Sequence, residues 1–219
     1  MQPIYVVISA NDYLNTSNRV FGSVKSAESF ISVVLNDLQI PAENMRIRYN
    51  IDATASNFIN DITWLSDKLK NEIGALGITL FGGHGDTTGN LDYYCMDGGI
   101  VTEDQMAAIF TGIHQDSLLL VLSDCCSAAE EFQDLNYTFV GKWVSIGATL
   151  QPEDDLQDSD GGALVEAIVS NWYCLKEKTV KEIYDTLEDY TVNSWRGNLQ
   201  HFSFYYSDSS TLTIKPFSK

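Results

Sequence analysis

The chain has 219 residues, of which 44% are hydrophobic and 20% are charged, proportions typical of a globular protein with a buried core. Acidic residues outnumber basic residues by 30 to 13, which gives a formal net charge of −17. Such a charge repels the phosphates of nucleic acids and the anionic surface of a membrane, so we expect neither as a partner. No apolar run approaches the roughly 18 residues of a membrane-spanning helix.

The predicted elements alternate between strands and helices along the chain. Apolar runs predict strands at residues 4–9, 45–49, 77–81, 117–122 and 142–146. Helical periodicity predicts helices over 23–38, 54–69 and 102–110, with Thr54 and Thr102 as N-terminal caps. Segments 89–99 and 151–162 are predicted to be loops, and the aromatic segment 200–214 is predicted to form an edge strand or a hairpin.

This alternation predicts an α/β fold around a mainly parallel sheet. No linker and no internal repeat divides the chain, so residues 1–219 are predicted to form a single domain. In such sheets, functional residues gather at the carboxyl ends of the strands.

The cysteines and the N-terminus bear on the cellular compartment. The four cysteines, at positions 95, 125, 126 and 174, have neither the spacing of a disulfide framework nor that of a zinc motif. The apolar run at 4–9 is too short for a signal peptide, and no basic region precedes it. We therefore expect reduced thiols and a cytoplasmic protein.

Two of the strongest predicted strands end in reactive residues. One is followed by Gly-Gly-His-Gly at 82–85 and the other by Ser-Asp-Cys-Cys at 123–126. If the two strands are parallel neighbours, His84 and a thiol lie at the same edge of the sheet. The residues after Cys126 favour a helix, whose N-terminal N–H groups would stabilise a thiolate, and the glycines leave a backbone N–H for an oxyanion. The alternative is a buried structural cysteine beside a packed histidine.

These motifs resemble those of the caspase and metacaspase group of cysteine peptidases. Metacaspases carry Ser-Gly-His-Gly and Asp-x-Cys-His-Ser where this chain has Gly83-His84-Gly85 and Asp124-x-Cys126. Segments 7–13, 20–27, 145–148 and 160–164 are similar to further family segments and follow in the same order, so that the resemblance extends over about residues 4–170.

The resemblance implies a fold and a chemistry. The fold is a three-layer αβα sandwich around a mainly parallel sheet of about six strands, as in the caspase-hemoglobinase fold. The activity is that of a cysteine endopeptidase, with protein or peptide substrates and no cofactor required for the chemistry. Cys126 is the implied nucleophile because it lies two residues after Asp124, and Cys125 remains the alternative. His84 would assist proton transfer, and the N–H groups of Gly85 and Cys126 would bind the oxyanion.

The resemblance also implies a specificity. Metacaspases cleave after Arg or Lys, through an acidic S1 pocket to which Asp124, Ser26 and Gly82 correspond. Two of these positions depart from the family pattern, because Ser26 replaces an aspartate and Gly82 replaces a serine. We expect cleavage after Arg or Lys, since the net charge of −17 disfavours an acidic P1 residue. Asp124 could instead cap the helix that follows it.

Calcium is an expected activator, because many metacaspases bind it through surface acids. The matching candidates are Asp97, Glu103, Asp104 and Asp134. The alternative is a solvated acidic face, in which Glu103 and Asp104 serve as N-terminal charges of the predicted helix.

Two other functions compete with a peptidase. One is a catalytically inactive caspase-fold interaction module, which the departures at Ser26 and Gly82 leave open. The other is a nucleotide-binding domain that uses residues 82–85 as a phosphate loop. It is disfavoured because both Gly-x-Gly-x-x-Gly and a Gly-Lys-Ser/Thr ending are missing.

Overall fold

The computed structural model describes residues 2–14, 19–87, 91–95, 99–125, 141–148, 157–158, 161–193 and 201–218. Among these residues, no helix combines the length and the apolar character that crossing a membrane requires. The elements are, in chain order, β1 (Ile4–Ala10), α1 (Ser23–Phe30), a π-helical turn (Ile31–Leu35), α2 (Asn36–Leu38), β2 (Met45–Tyr49), α3 (Ala55–Asn71), β3 (Leu76–Gly82), β4 (His84–Thr87), β5 (Leu91–Tyr94), β6 (Ile100–Thr102), α4 (Glu103–Phe110), β7 (Leu118–Asp124), β8 (Lys142–Gly147), β9 (Gln157–Asp158), β10 (Gly161–Gly162), α5 (Ala163–Leu175), α6 (Val180–Asn193) and β11 (Ser203–Tyr206).

A six-stranded sheet with the order β11-β8-β7-β3-β1-β2 forms the centre of the molecule. All its neighbours are parallel except β11, which runs antiparallel to β8 at one edge. The prediction of an α/β fold with a mainly parallel sheet of six strands is therefore confirmed, and so is the edge strand near the C-terminus.

Helices cover both faces of this sheet, because successive strand residues point to opposite sides. Val6, Ile8 and Ala10 of β1 face a core that also contains apolar residues of α1, α5 and α6. Tyr5 and Val7 face a second core, to which α3 and α4 contribute. The two helix layers and the sheet between them make up the predicted three layers.

Two predicted helix caps are confirmed. Thr54 accepts a hydrogen bond from the N–H of Asn57 at the start of α3. Thr102 forms a capping box with Gln105 at the start of α4, in which each side chain accepts a hydrogen bond from the other residue's backbone N–H. These caps depend on residues three positions apart, which is why the local sequence is sufficient to predict them.

Some elements differ from the prediction. Segment 89–99 was expected to be a loop, but it contains β5, the middle strand of a small antiparallel sheet with β4 and β6. The helices α5 and α6 are not among the predicted elements. Because α5 packs against both the sheet side and α6, its apolar residues are not confined to one stripe and its helical period is obscured.

Candidate active site

The strands that precede the two reactive motifs are parallel neighbours, which is the condition on which the predicted site depends. Strand β3 pairs with β7 along its whole length, with Gly82 opposite Asp124. The N–H of Gly83 continues the pairing with a long hydrogen bond of 3.5 Å to the carbonyl oxygen of Asp124. His84, directly after Gly83, begins β4. The other half of the predicted pair, Cys126, lies outside the described residues.

Tyr13 contacts His84 in two ways. The backbone N–H of His84 donates a hydrogen bond of 2.9 Å to the phenolic oxygen of Tyr13. The imidazole and the phenol ring are also in contact, with centroids 4.7 Å apart and planes inclined by 41°. Tyr13 is 5% exposed, whereas His84 is half-buried. Sequence reasoning missed this contact, although Tyr13 lies in one of the segments similar to the caspase group.

The Tyr13 phenol is held in its neutral form. Burial raises the pKa of Tyr13 above its ordinary value of 10, and negative charge on the thiols of Cys125 and Cys95 would raise it further. The hydrogen bond from the His84 N–H opposes this by lowering the pKa. The net direction is upward, so the phenol next to His84 is uncharged at neutral pH.

Cys125 belongs to the hydrophobic core. Its side chain is 0% exposed and lies in the cluster that faces α3 and α4, together with Cys95 and Tyr93. The hydroxyl groups of Tyr93 and Ser123 share a buried hydrogen bond of 2.5 Å. In this position the Cys125 thiol is inaccessible to a substrate.

The three residues predicted to line the S1 pocket lie together. Asp124, Ser26 and Gly82 surround one narrow space between the end of the sheet and α1, next to Ser23 and Ala10. The space is too small to hold a water molecule. A Cβ at position 82 would make only an ordinary contact, since it would lie 3.4 Å from its nearest neighbour in Ser23.

The start of α5 covers the carboxylate of Asp124. This side chain is 1% exposed, and its Oδ1 accepts a hydrogen bond of 3.1 Å from the N–H of Leu164 in the first turn of α5. The N–H of Gly162 donates to the hydroxyl of Ser26 at 2.9 Å. Gly162 lies so close that a Cβ there would be 2.4 Å from both carboxylate oxygens. Asp124 therefore caps α5, which lies far along the chain. The sequence suggested a capping role for Asp124 only towards the helix predicted directly after it.

Two of the four predicted calcium ligands are described, and they differ in environment. Glu103 is 5% exposed at the first position of α4, whereas its neighbour Asp104 is exposed. Asp97 and Asp134 lie outside the described residues. Within the described part of the chain, no three histidine, cysteine or acidic side chains are close enough to hold a metal ion. Gly85, the predicted oxyanion donor, lies half-buried in β4 opposite Tyr93.

The sheet order, the two covering helix layers and the histidine beyond β3 define a protein of the caspase-like α/β class. The family model described as "Caspase domain" matches residues 3–199, so the chain belongs to the caspase domain family. Members of this family are cysteine endopeptidases that act on proteins.

Two solved structures have a similar fold. One is protein GSU0716 from Geobacter sulfurreducens, with a TM-score of 0.76 and 14% identity over 99% of this chain and 98% of that chain. The other is the Drosophila initiator caspase Dronc, with a TM-score of 0.66 and 12% identity over 96% of this chain and 81% of that chain. No curated protein matches the sequence.

Proposed function

We propose that this protein is a cysteine endopeptidase in which Cys126 is the nucleophile and His84 transfers protons. The single observation that carries the proposal is the pairing of β3 with β7 up to Gly82 and Asp124. His84 follows the first of these strands and Cys126 follows the second, each two residues beyond the paired positions. The carboxyl ends of these two parallel strands share one edge of the sheet, where α/β proteins bind their ligands, and this supports the proposed pair.

The proposed reaction has two stages. The Cys126 thiolate attacks the carbonyl carbon of the scissile peptide bond, and the N–H groups of Gly85 and Cys126 stabilise the resulting oxyanion. Protonated His84 donates its proton to the departing amine as the C–N bond breaks. Neutral His84 then takes a proton from a water molecule, whose oxygen attacks the carbonyl carbon of the thioester. The C–S bond breaks, the carboxylic acid product leaves, and the thiolate and the protonated imidazole are restored.

The burial of Cys125 supports the choice of nucleophile. A nucleophilic thiol needs access to the substrate and a setting that favours the thiolate. The Cys125 side chain is 0% exposed among apolar neighbours, where neither condition is met. We therefore assign the attack to Cys126, two residues after Asp124 as in metacaspases.

For specificity, we propose cleavage after Arg or Lys, as in metacaspases. The net charge of −17 supports this preference, because it attracts cationic peptides and repels acidic ones. Asp124, Ser26 and Gly82 would line the S1 pocket, and a basic P1 side chain would have to reach the Asp124 carboxylate that α5 now covers.

Calcium activation is a separate proposal. Because Glu103 is buried and the neighbouring Asp104 is exposed, these two carboxylates alone do not form a site for one ion. The proposal therefore depends on Asp97 and Asp134, and it concerns activation only, not a step of the chemistry.

A peptide library varied at P1 tests the proposal, with the wild type, Cys126→Ala and Cys125→Ala each measured with and without calcium. We expect cleavage after Arg or Lys by the wild type and by Cys125→Ala, and no cleavage by Cys126→Ala. Activity that survives Cys126→Ala but not Cys125→Ala would show that Cys125 is the nucleophile. Cleavage after Asp alone would refute the preference for a basic P1 residue.

The second candidate is an inactive interaction module of the same fold. The covered Asp124 carboxylate favours it, since this arrangement leaves no room for a P1 side chain. An Arg-directed electrophile that labels Cys126 would exclude it. Absence of labelling with and without calcium would support it.

A further inference from the structure

We propose that Tyr13 is a positioning residue that fixes the imidazole of His84. The inference rests on the proposed function for the role of His84, but the contact itself does not depend on it. Tyr13 follows the end of β1, and β1 is paired with β3 up to Ala10 and Gly82. The loops after these two strands therefore emerge side by side, which brings the phenol to the residue that begins β4.

Tyr13 holds His84 at two points. Its hydroxyl oxygen accepts the backbone N–H of His84 at 2.9 Å, and its ring lies 4.7 Å from the imidazole, centroid to centroid. The first contact fixes the backbone from which the imidazole projects, and the second restricts the rotation of the imidazole itself. Contacts of this kind between aromatic rings stabilise a defined geometry.

The backbone departs from its usual conformations to make this contact. Tyr13 has a φ of 48°, in the left-handed region that a bulky residue rarely adopts. Gly83 has a φ of 152°, and a Cβ there would lie 2.6 Å from the Tyr13 hydroxyl. Residues in such conformations persist only where the surrounding structure requires them, and they are concentrated at functional sites.

The two residues before Tyr13 are anchored by hydrogen bonds. The N–H of Asn11 donates to the carbonyl oxygen of Gly82 at 2.9 Å. Asp12 donates its N–H to the side chain of Asn50 and accepts the N–H of Val24 through its carboxylate. The chain that leads into Tyr13 is therefore held in place. The phenol remains neutral next to the imidazole because burial raises the pKa of Tyr13.

The experiment compares Tyr13, which follows β1, with Tyr5, which lies within β1. The variants are Tyr13→Phe and Tyr13→Leu, with Tyr5→Phe and Tyr5→Leu as matched controls. Tyr5 is also 5% exposed and its hydroxyl is also hydrogen-bonded, but it lies near the beginning of β1, away from His84. The first readout is the NMR signal of the His84 ring protons, which the neighbouring phenol ring shifts. The chain has 3 histidines, so His114→Asn and His201→Asn identify the His84 signal.

We expect Tyr13→Leu to move the His84 ring signals towards those of an exposed histidine and Tyr13→Phe to retain them, since phenylalanine keeps the ring contact. In peptide cleavage, Tyr13→Leu should lower kcat on the order of 10²-fold with KM nearly unchanged, because misplacement of a catalytic group by about 1 Å costs this much. Tyr13→Phe should lower kcat less. Tyr5→Leu should lower the melting temperature while kcat and the His84 signals stay as in the wild type.

Three results would overturn the inference. The first is that the His84 ring signals are the same in Tyr13→Leu as in the wild type. The second is that Tyr5→Leu lowers kcat as much as Tyr13→Leu, and the third is that Tyr13→Phe and Tyr13→Leu change the His84 signals and kcat equally. If the wild type cleaves no peptide, the proposed function fails, while the NMR comparison still tests whether Tyr13 holds His84. If Tyr13→Leu fails to fold, Tyr13→Phe still tests the hydrogen bond through faster exchange of the His84 amide proton.

Discussion

Replacement of Asp124 by alanine and by asparagine separates the two roles proposed for its carboxylate. One role is to cap α5 through the N–H of Leu164, and the other is to bind a basic P1 side chain. Asparagine keeps an oxygen that can accept the Leu164 N–H but removes the negative charge. Alanine removes both.

The structure sets the size of the expected effects on stability. Loss of a capping side chain costs about 0.5–2 kcal/mol, and a buried N–H left without an acceptor costs about 1–3 kcal/mol. Because the Asp124 side chain is 1% exposed, we expect Asp124→Ala to lower the free energy of unfolding by about 2–3 kcal/mol. Asparagine caps helices as well as aspartate and has an oxygen that can accept the Leu164 N–H, so Asp124→Asn should cost about 1 kcal/mol or less.

Thermal unfolding measures this difference. For a chain of this size, each kcal/mol shifts the melting temperature by about 2–4 °C, so Asp124→Ala should melt about 4–12 °C below the wild type and Asp124→Asn within about 4 °C of it. Hydrogen exchange should be faster at the start of α5 in Asp124→Ala only. Asp67→Asn, at an exposed position of α3, controls for the loss of one charge. Equal destabilisation by alanine and asparagine would refute the capping role.

Activity then tests the second role. If Asp124 binds the P1 side chain, Asp124→Asn lowers kcat/KM for Arg and Lys substrates relative to neutral ones, although the protein remains stable. If the carboxylate serves only α5, the ratio between basic and neutral P1 residues does not change in Asp124→Asn. A lower kcat/KM for all substrates in equal proportion would therefore exclude Asp124 as the P1 determinant.

Two further predictions concern stability. Gly162→Ala should lower the free energy of unfolding by about 1–3 kcal/mol, because its Cβ would lie 2.4 Å from the Asp124 carboxylate. Gly82→Ala should be tolerated, because its Cβ would lie 3.4 Å from its nearest neighbour. Equal melting temperatures of the two variants would contradict this. Burial raises the pKa of Tyr5 and of Tyr184 to about 12, above their usual 10, so their contribution to stability is complete below pH 10 and is lost as the pH rises to 12. The melting temperature of the wild type should fall between pH 10 and pH 12, and that of a Tyr5→Phe/Tyr184→Phe variant should fall less. An equal fall in the two proteins would show that ionisation of Tyr5 and Tyr184 is not the cause.

Much of the fold could be predicted from the sequence because the relevant interactions are local or repetitive. Continuous apolar runs identify strands buried on both faces, and Thr54 and Thr102 cap helices through residues three positions away. The placement of His84 and Asp124 at the ends of neighbouring strands was also predictable, since a regular alternation of strands and helices forms a parallel sheet with all carboxyl ends at one edge.

The surroundings of the site could not be predicted in this way. The hydrogen bond from His84 to Tyr13 joins residues 71 positions apart, and the one from Leu164 to Asp124 spans 40 positions. Neither has a sequence period or a fixed spacing, because each depends on how two loops or a loop and a helix meet after the sheet has formed. The sequence by itself determined which side chains are present at the edge of the sheet. Only the tertiary structure decided that Tyr13 lies against His84, that Asp124 is covered by α5 and that Cys125 is buried, since these contacts exist only once distant segments pack together.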